Sequence, residues 1–181
     1  LVVNHTSIQH PWFRSARRSK DAPFHDFYVW RSDEPPDTSD QVVFPDAENS
    51  IWEFNEPTGE WYLHHFYKEQ PDLDVTNPRV RDEVAKVMGF WLQVGLSGFR
   101  MDAVPFFLDT VGGDQRDFPD PHEYLRALRA FMERSVPAGV LLGEVNLPPE
   151  QQREFFGGPE GDELTMQFDF IAMQALYLAL A

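Results

Sequence analysis

Two short stretches carry the residues best suited to chemistry. "GFRMDAVPFF" places Arg100 and Asp102 in a run that otherwise reads as a sheet strand, and "VLLGEVN" puts Glu144 at the end of the next apolar run. Residues two apart on a strand share a face, so the Arg100 guanidinium lies beside the Asp102 carboxylate. Burying that pair is costly unless the two serve each other or a ligand. A carboxylate beside a guanidinium stays ionised and oriented, which is what a nucleophile requires. Glu144 is expected in mostly apolar surroundings, the setting in which a carboxyl keeps its proton near neutrality. One charged and one protonated carboxyl make a retaining glycosidase pair. A single strand-end Asp or Glu is more often a helix cap or a structural salt bridge. The set His5, Arg100, Asp102 and Glu144, at matching positions on successive strands, is much harder to reach by chance.

The elements that position them read as α/β. From Asn77 onward helix and strand alternate. "NPRVRDEVAKVMGFWLQVG" has an Asn N-cap, Pro at the first helical position, apolar Val80, Val84, Val87, Met88 and Trp91, and Gly95 as a stop. A strand follows at Gly98–Asp102, then a helix at about Pro121–Ser135 capped by Asp120, and a strand at Val140–Glu144. A helix at Pro148–Phe156, a strand at Thr165–Phe170 and a helix at about Ala172–Leu180 close the chain. Nearly all-apolar strands, each followed by a helix, imply a parallel sheet. The choice is a doubly wound sheet or a (β/α)8 TIM barrel. Charged residues at successive strand C-termini favour the barrel, and no Gly-rich phosphate loop supports the nucleotide-binding alternative.

Residues 6–76 differ in style, being rich in aromatics, Pro, Asp and His. A short helix is expected at about Pro11–Ser19, with strands at Phe27–Trp30, Ile51–Phe54 and Trp61–Phe66. The division is residues 1–5 as a barrel strand, 6–76 as an irregular insertion and 77–181 as strand–helix units.

Composition limits the partners. The chain has 181 residues, a formal net charge of −15 and no cysteine. That charge repels nucleic acid and anionic lipid, and without cysteine there is neither a disulfide nor a thiolate metal site. No run approaches the ~20 apolar residues of a membrane span. The low lysine content and the lack of a signal-like opening lean towards a bacterial, cytoplasmic protein. The opening "LVVNH" reads as mid-strand, which suggests an internal fragment.

"VVNH", "QPDLD", "GFRMDAV" and "LLGEVN", in this order, resemble the signature regions of the α-amylase family, glycoside hydrolase family 13, over essentially the whole chain. The wording "NHTSIQHPWF", "DFYVW" and "YLHHFYKEQPDLD" is most similar to the family's trehalose synthases. Where those commonly read "LAEAN", this chain has "LGEVN". The resemblance implies about the third to sixth strands of the barrel, with residues 6–76 as the B domain inserted after the third strand. It implies Asp102 as nucleophile, Glu144 as general acid/base, Arg100 orienting the nucleophile and His5 bonding the sugar in the −1 subsite. The implied reaction turns maltose into trehalose by intramolecular glucosyl transfer. Hydrolysis by an α-glucosidase or α-amylase is the alternative, and a non-catalytic barrel relative is the alternative of another class. Maltose or another α-glucoside is the expected partner, with room for a homo-oligomer at full length. The family's third carboxylate follows the seventh strand and has no counterpart after Glu144, so this piece alone is expected to be inert and poorly soluble.

Asn4, Asp72 and Asp109 offer side-chain oxygens, a hard-ligand set suited to calcium. The resemblance implies that the carbonyls of Phe106 and Phe107 complete the shell of a structural Ca2+ ion. His64 and His65 are adjacent and face opposite ways, one expected to pack and the other to meet solvent or the cleft of the B domain. His10 and His122 read as structural, and His25 has no evident partner. Among the insertion's aromatics, Trp30, Trp52, Phe66 and Tyr67 read as core rather than as sugar-stacking surfaces.

Overall fold

The computed structural model describes residues 1–108 and 120–180. The chain divides into two compact units. One holds residues 2–84 and 106–108, the other Leu1, 85–105 and 120–180.

The first unit is built on aromatic packing. Helix α1 (Pro11–Ala16) is capped by His10, whose Nδ1 accepts from the Trp12 N–H at 3.3 Å. A 3-10 turn at His25–Phe27 precedes β1 (Trp30–Arg31), and β2 (Trp52–Asn55) and β3 (Glu60–Leu63) complete an antiparallel sheet in the order β1-β3-β2. The expected helix to Ser19 thus ends at Ala16, and the strand expected over Phe27–Trp30 begins only at Trp30. Phe13, Phe27, Tyr28, Tyr62, Leu73 and Val80 form one buried cluster; Val29, Ile51, Trp52 and Leu63 form another. Trp30 has His25 stacked at 4.5 Å and Phe13 stacked at 5.9 Å, so its ring belongs to the core. Trp52 is buried too, whereas Tyr67 is 38% exposed, which corrects the expectation for it. His25 finds its partner in Glu60, 3.1 Å from its Nε2.

Helix α2 (Pro78–Val94) begins where the sequence places it. The Asn77 side chain accepts from the Arg79 N–H at 2.9 Å. It ends in a Schellman turn: Gly95 has φ of +109°, its N–H reaches Leu92 O at 3.0 Å, and the Leu96 N–H reaches Trp91 O at 3.1 Å. Val80, Val84, Met88 and Leu92 are buried, while Val87 and Trp91 are about half exposed, so the buried stripe lies one residue to the side of the expected one.

The second unit holds a parallel sheet in sequential order, β4 (Gly98–Met101), β5 (Val140–Gly143) and β6 (Met166–Gln167). Leu1 extends it at the outer edge of β4. Its N–H donates to Arg100 O at 2.6 Å and its carbonyl accepts from the Asp102 N–H at 3.0 Å, the bonding of a parallel pair. Beyond Leu1, residues 2–5 make only an isolated bridge, His5 to Asp72. On one face of the sheet Phe99, Met101, Leu141 and Val145 are buried. The other face carries Arg100, Leu142 and Met166 in one row.

Short helix α3 (Val104–Leu108) follows β4, and α4 (His122–Ser135) precedes β5. No side chain caps α4 at Pro121. Asp120 instead pairs with Arg126, which holds its carboxyl below the usual range, helped by the N–H groups of His122 and Glu123. Behind α4 lies Glu163, 2% exposed and bonded by His122 at 2.7 Å and Arg126 at 3.1 Å, so His122 is structural. The helix expected at Pro148–Phe156 is split into α5 (Pro149–Gln152) and a 3-10 turn at Arg153–Phe156. Helix α6 (Phe170–Leu180) starts two residues early and shortens β6.

Gly143 explains part of the departure from "LAEAN". A Cβ there would lie 2.2 Å from Leu164 Cδ1, and Leu164 is 1% exposed. The glycine leaves a hollow that Leu164 fills. Gly143→Ala in the whole protein is expected to lose about 1–3 kcal/mol in equilibrium denaturation, with Gly143→Ala/Leu164→Val regaining part of it. A neutral Gly143→Ala would mean that Leu164 moves aside freely.

Candidate active site

Met101 pairs with Gly143 in the parallel ladder, and the Glu144 N–H continues it by donating to Met101 O at 2.9 Å. Asp102 and Glu144 therefore stand at the same height on adjacent strands. Arg100 joins them: Nη1 bonds Asp102 Oδ1, and Nη2 donates to Glu144 Oε2 at 2.6 Å. One planar guanidinium spans two carboxylates, a task suited to its fork of donors.

The backbone at the strand end is unusual. Ala103 has φ of +51°, the only left-handed non-glycine among the described residues. This turn takes its N–H out of the ladder. Val104 N–H bonds Glu144 O at 3.2 Å in its place, and Ala103 N–H points at Glu144 Oε2, 3.4 Å away. Holding an L residue there costs about 1–2 kcal/mol. Nothing in the sequence signals it, because alanine has no preference for that region.

Two expectations are corrected. Arg100 and Asp102 are not buried, with side chains 44% and 21% exposed, and Glu144 is 34% exposed against Arg100 rather than in apolar surroundings. The reason is the sheet's alternation: the apolar residues flanking them point to the opposite, covered face, and theirs is open among the described residues.

His5, Asn4, Asp72, Phe106 and Phe107 fall in the other unit. Asn4 and Asp72 are 2% and 3% exposed and meet through Asn4 Nδ2 and Asp72 Oδ1 at 2.9 Å. Asp72 Oδ2 is taken by His65, and Phe106 packs on the His65 ring at 5.4 Å. His64 and His65 are both buried, at 1% and 6%, which corrects the expectation that one meets solvent. The His65–Asp72 pair joins residues seven apart through a loop, a contact that no local pattern in the sequence marks. His5 packs edge-on against Phe66 and contacts Gln70 Nε2 at 3.1 Å. Asp109 lies outside the described residues. No group of three or more Asp, Glu or His suited to a metal occurs among the described ones. Asn4 and Asp72 nevertheless suit a hard cation chemically, being buried side by side and carrying side-chain oxygens.

Comparison with known proteins agrees with this geometry. Residues 1–179 match the alpha amylase catalytic domain. The trehalose synthase/amylase of Mycobacterium tuberculosis is 39% identical over 99% of the chain, which spans 30% of that protein. The oligo-1,6-glucosidase of Heyndrickxia coagulans is 35% identical over 94% of the chain and 33% of its own length. The crystal structure of isomaltulose synthase from Erwinia rhapontici superposes with a TM-score of 0.77 at 28% identity, covering 92% of this chain and 32% of that one. The chain thus spans about a third of the proteins it matches. With its sequential parallel strands and its paired carboxylates on neighbouring strand ends, it belongs to the α-amylase family, glycoside hydrolase family 13, and forms part of that family's (β/α)8 barrel.

Proposed function

We propose that the whole protein carrying this chain is a retaining enzyme on α-glucosides that isomerises maltose to trehalose by intramolecular glucosyl transfer. The observation that carries this reading is the Arg100 fork between Asp102 and Glu144. Neighbouring strands lie about 4.8 Å apart, close to the roughly 5–5.5 Å that separates the carboxyls of a retaining pair. A pair of carboxyls that close would use direct attack by a carboxylate, with no water between base and sugar.

Asp102 attacks the anomeric carbon as Glu144 gives its proton to the glycosidic oxygen, leaving glucose bound to Asp102 through an ester. Glu144, now a carboxylate, takes the proton from the incoming hydroxyl as that oxygen displaces Asp102. If the acceptor is the glucose just released, turned to present its anomeric hydroxyl, the product is trehalose. If water enters first, the product is glucose. His5 would bond the sugar in the −1 subsite, as the family resemblance implies. The 39% identity to a trehalose synthase over nearly the whole chain favours transfer, and the 35% identity to an oligo-1,6-glucosidase supports hydrolysis as the second reading.

Calcium is the second part of the proposal. Asn4, Asp72, the carbonyls of Phe106 and Phe107 and an oxygen of Asp109 would hold it. Its charge would pin loop to helix.

Product analysis on maltose with the whole protein tests the reaction, with Asp102→Ala as the blank. Trehalose accumulating ahead of glucose is expected, and glucose alone makes the protein a hydrolase. Arg100→Lys keeps a charge but cannot span both carboxylates, so kcat is expected to fall roughly 100-fold with KM little changed, as for a misplaced catalytic group. An equal loss carried by KM would make Arg100 a substrate-binding residue. For calcium, a hundredfold excess over Kd is expected to raise the whole protein's Tm by roughly 2 °C, and Asp72→Asn is expected to abolish the response. A Tm indifferent to both calcium and chelator would remove the ion.

A further inference from the structure

Among the described arginines, Arg134 and Arg153 stand singly without a paired carboxylate, and one group of three lacks one together. Arg79, Arg100, Arg126 and Arg129 each pair with a carboxylate. In a chain with 30 acidic and only 15 basic residues, that is the expected fate of an arginine. Arg14, Arg17 and Arg18 depart from it. Among the described residues no carboxylate pairs with any of them, and together they line a surface concavity of about 500 Å³ with Ile8, Gln9 and Pro57.

The local structure holds the three together. Arg14 stands in the last turn of α1, Arg17 is its C-cap, and Arg18 follows one residue later, its N–H bonded to Ser15 O at 3.1 Å. Spacings of three and four bring side chains onto one face. Arg17 is anchored, its Nε donating to Asn55 Oδ1 at 3.3 Å and its guanidinium lying 5.7 Å from the Phe13 ring centre. Arg14 and Arg18 are exposed. Three guanidiniums converging without a counter-charge repel one another, and a protein this acidic has carboxylates to spare.

We propose that this concavity binds a phosphate dianion, free or as the ester of a small polar molecule. A monoanionic carboxylate is matched by one arginine, whereas a phosphate offers several acceptor oxygens and a charge near −2 to a set of forks. Ile8 and Pro57 supply an apolar wall and Gln9 an amide that reads hydroxyls, which suits an ester better than the bare ion. The site goes beyond the proposed reaction, uses none of its residues, and does not depend on it.

Calorimetric titration of the whole protein at low ionic strength, with inorganic phosphate in one series and glucose 6-phosphate in the other, tests this. Saturable 1:1 binding is expected in at least one series. It should weaken about tenfold or more in Arg14→Gln/Arg18→Gln, and stay unchanged in Arg153→Gln, a charge removed elsewhere. Both arginines are exposed, and an unchanged circular dichroism melt confirms that the double variant folds. Tighter binding of the ester identifies the wall as part of the site, and equal binding identifies a site for free phosphate. The proposal is overturned by the absence of saturable binding, by binding that survives the double variant, or by heats that Arg153→Gln reduces equally.

Discussion

The meeting of Asp102 and Glu144 depends on the register between β4 and β5. Two carboxylates become a pair only if their strands bring them to the same height. The ladder that pairs Met101 with Gly143 does this without any contribution from the side chains it positions. Arg100 then fixes their orientation across the strands. Backbone sets position and guanidinium sets direction, so mutation of a side chain can turn the carboxylates but leaves the register that brings them together.

The unit of residues 2–84 solves the opposite problem. It has little regular structure with which to define itself, its sheet being three short strands. Its order comes from rings. Phe13 touches Tyr28, Trp30 and Tyr62, and Trp12 touches Phe24 and Phe27, so a few large side chains fix the path of many loop residues. Such rings bury much area for little side-chain entropy, an efficient way to hold a loop-rich insertion.

Much of this was legible in the sequence where signals were local. The Asn77 cap, Gly95 stop and apolar strands announce α2, β4 and β5 because each rests on residue chemistry within a few positions. The placement of Arg100 beside Asp102, with Glu144 at the next strand end, was legible because strand periodicity and strand-end placement are simple rules, whereas the reach of Arg100 to Glu144 was not. Burial was not. Alternation predicts that Arg100 and Asp102 share a face, but only the tertiary arrangement decides whether that face is covered. The split of the helix expected over Pro148–Phe156, the Leu164 that fills the hollow at Gly143, and the pairing of His65 with Asp72 all depend on contacts that local pattern does not carry.

The left-handed Ala103 narrows what directed evolution can do beside Asp102. A branched or bulky side chain there would have to be forced into a region it rarely enters, and glycine is the residue that relieves the strain. Glycine would also free the chain at the point where an N–H is aimed at Glu144. The site therefore has almost no neutral neighbours in sequence space at this position: libraries built around "RMDAV" should yield their gains from positions whose backbone is unstrained, and lose function quickly at the residue that follows Asp102.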